Sequence, residues 1–356
     1  MPTVVESPYA GLLEQLTPTP GELVRARARL HRKAVLVGAL VVVSYWALVL
    51  APGGVLLKLA AAAALVLGLF ATATCVMHDA NHGAFARNAH VNRLAAWTAD
   101  LLGASSSIWR FTHNNLHHGN TNVVGVDPDI DQAPFGRLTP EQPWKWWHRY
   151  QHTYLWFLYG FLALRWFLYA DYVELAKRHR HPGRTRSRTR EIAGVITGKT
   201  VHISWAFLIP LAFHRWWVVL TFYLVCSWLI GFALALVFQL AHCNDLVAFT
   251  SSERPRRGED FVAHQLRTTA DVGTGANRTG ALVAWFVGGL HHQVEHHLLP
   301  RLPHTAYAAM AQRLRTTCRE RGVSYKVHRG FLSAIASHGR WLRAMARPPE
   351  MAAPLG

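Results

Sequence analysis

The chain has 356 residues, 51% hydrophobic and 16% charged, with 37 Lys plus Arg against 20 Asp plus Glu for a net charge of +17. The apolar residues are bunched into runs of spanning length, which excludes an ordinary soluble domain. The basic excess does not mark a nucleic-acid binder, because no groove-reading element accompanies it and anionic lipid headgroups account for it more simply.

In chain order, residues 1–33 read as a lead-in; their start lacks a continuous apolar stretch and is not a signal peptide. Residues 34–51 and 55–77 are two expected spans around an APGG turn. The stretch 154–170 is apolar and aromatic but carries Arg165 in its middle. A central Arg costs about 2.5 to 3.5 kcal/mol on insertion scales, so this segment is expected to lie in the membrane interface. Trp144, Trp146 and Trp147 just before it read as an interfacial aromatic belt. Residues 200–213 and 216–241, joined by His214–Arg215, make the second pair of spans. Residues 281–290 are too short to cross and predict a buried or re-entrant helix.

The expected fold is therefore an all-α integral membrane protein, with four transmembrane helices in two hairpins and a cytoplasmic helical cap. Residues 34–330 form the membrane domain and 331–356 a C-terminal tail. Arg25, Arg27, Arg29, Arg32 and Lys33 precede the first span, and a basic run from Lys177 to Arg190 fills the central loop. The positive-inside rule then puts both termini and that loop in the cytoplasm, which in a bacterium means the inner membrane.

Chemistry is concentrated in histidines. HDANH places His78 and His82 four residues apart, and HNNLHH repeats the spacing with His113 and His117 and adds His118. In QVEHH, positions 293, 296 and 297 share one helical face. His242 sits at the expected cytoplasmic end of the fourth span, as His78 does at that of the second. Eight histidines exceed the four ligands of a tetrahedral zinc, so two metals are implied. Imidazole suits zinc, copper, iron and nickel alike. The four cysteines form no CxxC, which argues against a zinc ribbon or an iron–sulfur cluster. Asp127, Asp129 and Asp131 alternate in VDPDID without the glycine of a calcium loop, and read as a turn near the substrate head group.

HDANHG, HNNLHHGNTN, QLAHC and GGLHHQVEHHLLP resemble the histidine boxes of the membrane-bound fatty acid desaturase superfamily, in its bacterial acyl-CoA and front-end branch. The resemblance implies two iron ions, O₂ as co-substrate, two electrons from outside, and removal of two hydrogens from an acyl chain. It implies metal ligation by His78 and His82, by His113, His117 and His118, by His242, and by Gln293, His296 and His297. Gln293 stands where many members have histidine, as in the front-end type. A box shifted by one residue, with His292 as ligand, stays open because 292 and 296 are also one turn apart. Asp79, Asn81, Asn114, Asn115, Asp245 and Glu295 are close enough in sequence to orient the ligands.

Breaking an aliphatic C–H bond is beyond any side-chain acid or base, so a redox metal must supply that step. A channel between the helices would hold the apolar tail of an acyl-CoA, acyl-ACP or acyl-lipid substrate. Hydroxylase or acetylenase chemistry on the same scaffold is the nearest alternative, and a non-catalytic metal-binding or transport protein a more distant one. The chain carries no electron-transfer motif of its own, so the electrons must come from a separate acidic carrier such as a ferredoxin.

Overall fold

The computed structural model describes residues 7–177, 187–251, 260–275 and 277–349. The chain is mostly helical, and Arg184 and Arg186 of the basic run lie outside the described residues. It divides into two compact units, Arg29–Asn115 with Thr153–Val237, and Met1–Ala28 with Leu116–His152 and Phe238–Gly356.

Among the described residues, four helices are long and apolar enough to cross a membrane: Pro20–Val49, Val55–Asn81, Arg188–Leu211 and Trp216–His242. Only 22% to 39% of each one's most apolar stretch is buried within the protein, and Leu56 and Trp216 are 83% and 69% exposed. Surface of that kind is satisfied only in hydrocarbon, and the chain is an integral membrane protein. The third span is longer than its apolar run alone indicates, since its first turns carry polar residues.

In the first unit, two of the carbonyls that end the first span, with one just beyond it, are collected by one cation. Lys58 Nζ donates to Ala47, Leu48 and Ala51 at 3.0, 2.9 and 2.7 Å. That explains a lysine near the start of an otherwise apolar helix. The expected interfacial stretch is broken into pieces, Gln151–Tyr159, Leu162–Arg165, Trp166–Ala170 and Asp171–Ala176, with Arg165 exposed. Gly231 of the fourth span meets this stretch backbone to backbone: a Cβ there would lie 2.4 Å from the Gly160 carbonyl oxygen. The third span is pinned by Lys199, whose Nζ reaches Asp171 Oδ2 and the carbonyls of Gly103 and Trp166 at 2.6, 2.6 and 2.9 Å.

In the second unit, Leu12, Leu16, Val262, Leu266, Val294, Leu298, Leu314 and Cys318 form an apolar core beneath the Gln293–Leu298 helix. Two short strands, Asp271–Val272 and Val327–His328, pair in parallel. Residues 281–290 begin within the helix Arg278–Val287, which leaves Leu282 58% exposed, so the expected burial holds only for its other side. Gly288 and Gly289 follow with φ of +66° and +75°, a left-handed pair that turns the chain sharply into the third box. The C-terminal stretch is a packed helix, Phe331–Met345, whose Trp341 donates to the Leu138 carbonyl at 2.8 Å and whose His338 Nδ1 meets the Cys243 carbonyl at 2.5 Å.

Candidate metal centre

The first histidine set belongs to the first unit. The helix from Val55 widens into a π-helical turn at Thr72–Met77 and resumes as His78–Asn81. Residues Phe111–His117 are π-helical as well. Such turns, with i to i+5 bonding, concentrate at functional sites. They bring His78, His82 and His113 together, with ring centroids 4.7 Å (78–82), 5.5 Å (78–113) and 5.1 Å (82–113) apart. All three are buried, and their ligating atoms lie within 4.8 Å of one another. Trp109 stacks on His113 with centroids 4.2 Å apart, fixing the ring plane.

Asn81 ties the two helices: its Nδ2 donates to Met77 O at 2.9 Å, its Oδ1 accepts from Arg110, and its carbonyl accepts from Asn114 Nδ2 at 3.0 Å. Asp79 Oδ1 is 3.7 Å from His78 Nδ1, whereas Asn115 is exposed.

The second set belongs to the second unit. His117, His242 and His297 form one triad with centroids 4.6 to 4.9 Å apart, and His118, His296 and His297 form another. His118 stacks on His297 at 4.2 Å and meets His296 edge-on at 4.5 Å. Oxygen atoms hold the Nδ1 of three rings. Asp127 holds His117 with both carboxylate oxygens at 3.0 Å, Thr121 Oγ1 and Gln265 Oε1 hold His297 at 3.1 Å each, and Tyr307 OH holds His296 at 3.2 Å. With Nδ1 engaged, Nε2 is the atom each ring offers for ligation. Burial works against charge on His117, but Asp127 and Asp129 outweigh it and hold the imidazolium up to about 9. A metal at this ring therefore displaces a proton that the site itself favours.

These bracing residues are the part that sequence reading missed. Asp127 was assigned to a turn. The turn is real, since Asp127 Oδ1 accepts Asp129 N at 2.9 Å and Oδ2 accepts Asn122 N at 2.8 Å, and it serves to aim the carboxylate at His117. The alternation of acids in VDPDID, ten residues after a ligating histidine, was the available signal. Gln265, Thr121 and Tyr307 carried none.

Gln293 is buried beside His242, and its amide Nε2 donates to the Leu290 carbonyl at 2.8 Å, which leaves Oε1 as the atom that could ligate a metal. His292 lies apart from both triads: its Nδ1 is 3.3 Å from Asp271 Oδ2 and 3.8 Å from Glu295 Oε2. Burial and the Asp271 carboxylate push Glu295 well above the usual carboxylate range. Asp245 is turned to the side of the C-terminal helix instead, its carboxylate accepting from Ser337 Oγ and Arg340 Nε.

Within the first unit, a cavity of about 330 Å³ runs among the spans, walled by Leu65, Leu69, Ala206, Val219, Phe222 and Ile230 among others. The polar groups on its wall are spoken for: Tyr45 OH donates to Trp205 O at 2.6 Å, His214 Nε2 meets Val49 O at 2.8 Å, and His202 is held between Leu101 O and Tyr223 OH. The space that remains is suited to hydrocarbon.

Spanning helices with buried imidazole sets that could hold metal, and no cysteine in those sets among the described residues, define a membrane protein with a candidate histidine metal site. The sequence profile of the fatty acid desaturase family matches residues 56–329, and the chain belongs to that family. It is an enzyme, a fatty acid desaturase. It is 36% identical over 309 residues to the sn-1 linoleoyl-lipid 6-desaturase of Synechocystis sp., covering 85% of each chain. It is 32% identical to the sn-1 linoleoyl-lipid 6-desaturase of Arthrospira platensis, covering 90% of this chain and 87% of the relative. The acyl-lipid (8-3)-desaturase of Physcomitrium patens is 33% identical over 286 residues, 77% of this chain and 58% of the relative.

Proposed function

We propose that this chain is an acyl-lipid desaturase of the front-end type, inserting a double bond near the carboxyl end of a chain esterified to a membrane lipid. The observation that carries the reading is the pair of buried histidine sets, whose all-imidazole donors, with one amide oxygen, suit iron. In it, His78, His82 and His113 serve one iron ion, and His117, His118, His242, Gln293, His296 and His297 the other positions. Bound iron would supply the oxidising power to remove two hydrogens from a saturated carbon pair, with O₂ reduced to two waters by those hydrogens, two external electrons and two protons from solvent.

The protein's own part is orientation and exclusion. Asp127, Gln265 and Tyr307 set the ring planes and tautomers of their histidines before metal arrives. Trp109 seals His113 from water. The apolar cavity accepts the hydrocarbon tail, while the charge excess of +17, with both termini and the central loop on the cytoplasmic side, suits anionic headgroups and an acidic ferredoxin-like donor.

The lipid and 6-position assignments are supported by the names of the cyanobacterial relatives. The test is lipid profiling of a bacterial host supplied with linoleate and expressing the chain. A trienoic product with its new double bond at carbon 6, recovered on intact lipid, is expected. A hydroxylated product, or a new double bond toward the methyl end, would overturn the reading.

A further inference from the structure

The Gln293–Leu298 helix has only six residues, and His292 at its N-cap supplies no side-chain cap. A helix that short has little stability of its own, and its first N–H groups need partners from elsewhere. One comes from a distant strand: Asp271 Oδ1 accepts Val294 N at 3.0 Å. Asp271 is fully buried and is fixed in turn by its backbone, since its N–H donates to Lys326 O and the next residue, Val272, donates to His291 O, each at 2.9 Å.

Its other oxygen gathers a second set of contacts. Tyr325 OH donates to Asp271 Oδ2 and lies 2.9 Å from Glu295 Oε1, so one phenol joins the strand carboxylate to the helix carboxylate. Arg315 Nη2 is 3.6 Å from Asp271 Oδ2, and its guanidinium lies 5.2 Å from the Tyr325 ring centroid. The helix is thus held at residues 292, 294 and 295, while 293, 296 and 297 face the histidine cluster.

We propose that Asp271, partnered by Tyr325, is a positioning residue for the third histidine box, acting as a remote N-cap that sets where His296 and His297 stand. The proposal rests on the reading of those residues as metal ligands. Asp271, His292 and Glu295 also lie close enough together to hold a cation themselves. Tyr325 already bonds both carboxylates and Arg315 lies against that of Asp271, which favours positioning over ligation.

The test uses the full-length enzyme in detergent as wild type, Asp271→Ala, Asp271→Asn and Tyr325→Phe. Metal per chain, the visible spectrum of the cobalt-substituted protein, melting temperature, kcat and KM are read for each. Positioning predicts that Asp271→Ala alters the cobalt spectrum and lowers kcat about 10- to 100-fold with KM little changed, the range for residues that orient metal ligands. Asp271→Asn, which retains the acceptor for Val294 N–H, should recover much of the wild-type spectrum, and Tyr325→Phe should fall between. If Asp271→Ala does not fold, the other two variants carry the comparison. A lowered melting temperature in these variants with unchanged spectrum and kcat would overturn the proposal. So would a third equivalent of metal in the wild type that Asp271→Asn loses, since Asp271 would then be a ligand. A wild type that turns over without metal would overturn the underlying reading of the histidines, and that outcome is scored before any variant is made.

Discussion

Both carboxylate oxygens of Asp127 stand 3.0 Å from Nδ1 of His117, in a site where neither side chain is more than 2% exposed. A buried carboxylate–imidazole pair of this kind sets the tautomer and raises the basicity of the ligating nitrogen. Replacing Asp127 by Asn keeps the shape and removes the charge. Iron affinity and turnover should each fall about 10- to 100-fold. Wild-type iron content and rate in Asp127→Asn would remove Asp127 from the centre.

His117→Ala and His297→Ala should abolish turnover while leaving the chain in the membrane, because the spans do not depend on the ligands. Gln293→His should keep both metals, whereas Gln293→Ala should weaken one preferentially. Equal metal content in Gln293→Ala and wild type, together with loss in His292→Ala, would place the third box one residue earlier.

The cavity makes a prediction about chain length. Ala206 and Ile230 line it, and an Ala206→Trp or Ile230→Trp substitution fills hydrocarbon space at positions outside the histidine boxes. Turnover of long acyl chains should fall several-fold relative to shorter ones, measured by competition between substrates in one reaction. A uniform loss across chain lengths would assign the cavity another role.

Stability should respond to Asp100. Burial, joined by repulsion from Asp171, raises its carboxyl to about 6 against the bonds from Ser106 and the pull of Lys199. Between the unfolded value of about 3.9 and the folded one, the native state binds more protons than the unfolded state. Stability is therefore greatest below pH ~4 for this group and is lost as pH rises through ~6. Asp100→Asn should remove that slope and stabilise the protein at neutral pH by on the order of 2–3 kcal/mol. Melting temperature in detergent from pH 4 to 8 reads it. Gly198 is matched to this carboxylate, because a Cβ there would lie 2.3 Å from Asp100 Oδ1. Gly198→Ala should destabilise at every pH.

Electron delivery should depend on salt. The Debye length falls from about 30 Å at 0.01 M to about 10 Å at 0.1 M, so ferredoxin-driven turnover should drop steeply across that range. Neutralising Arg188 and Arg190, which open the third span, with Arg184 and Arg186 before them, should flatten the dependence if this basic run is the dock. Turnover indifferent to salt would reject electrostatic docking and leave the desaturase assignment standing.

What the sequence determined by itself was what depends on local order. Spans are legible because hydrocarbon admits only long apolar helices, and the boxes are legible because side chains three or four residues apart share a helical face. Family membership followed from the same residues. Contacts with distant partners, by contrast, become visible only once the chain is folded. Gln265 and Tyr307 brace histidines 32 and 11 residues away, and Lys199 finds Asp171 from 28 residues off. Asp271 caps a helix that begins only after another helix, Arg278–Val287, has intervened. None of these residues has a local pattern to betray it, because a buried polar group is chosen by the partner it must satisfy, and that partner is set by packing rather than by neighbours along the chain.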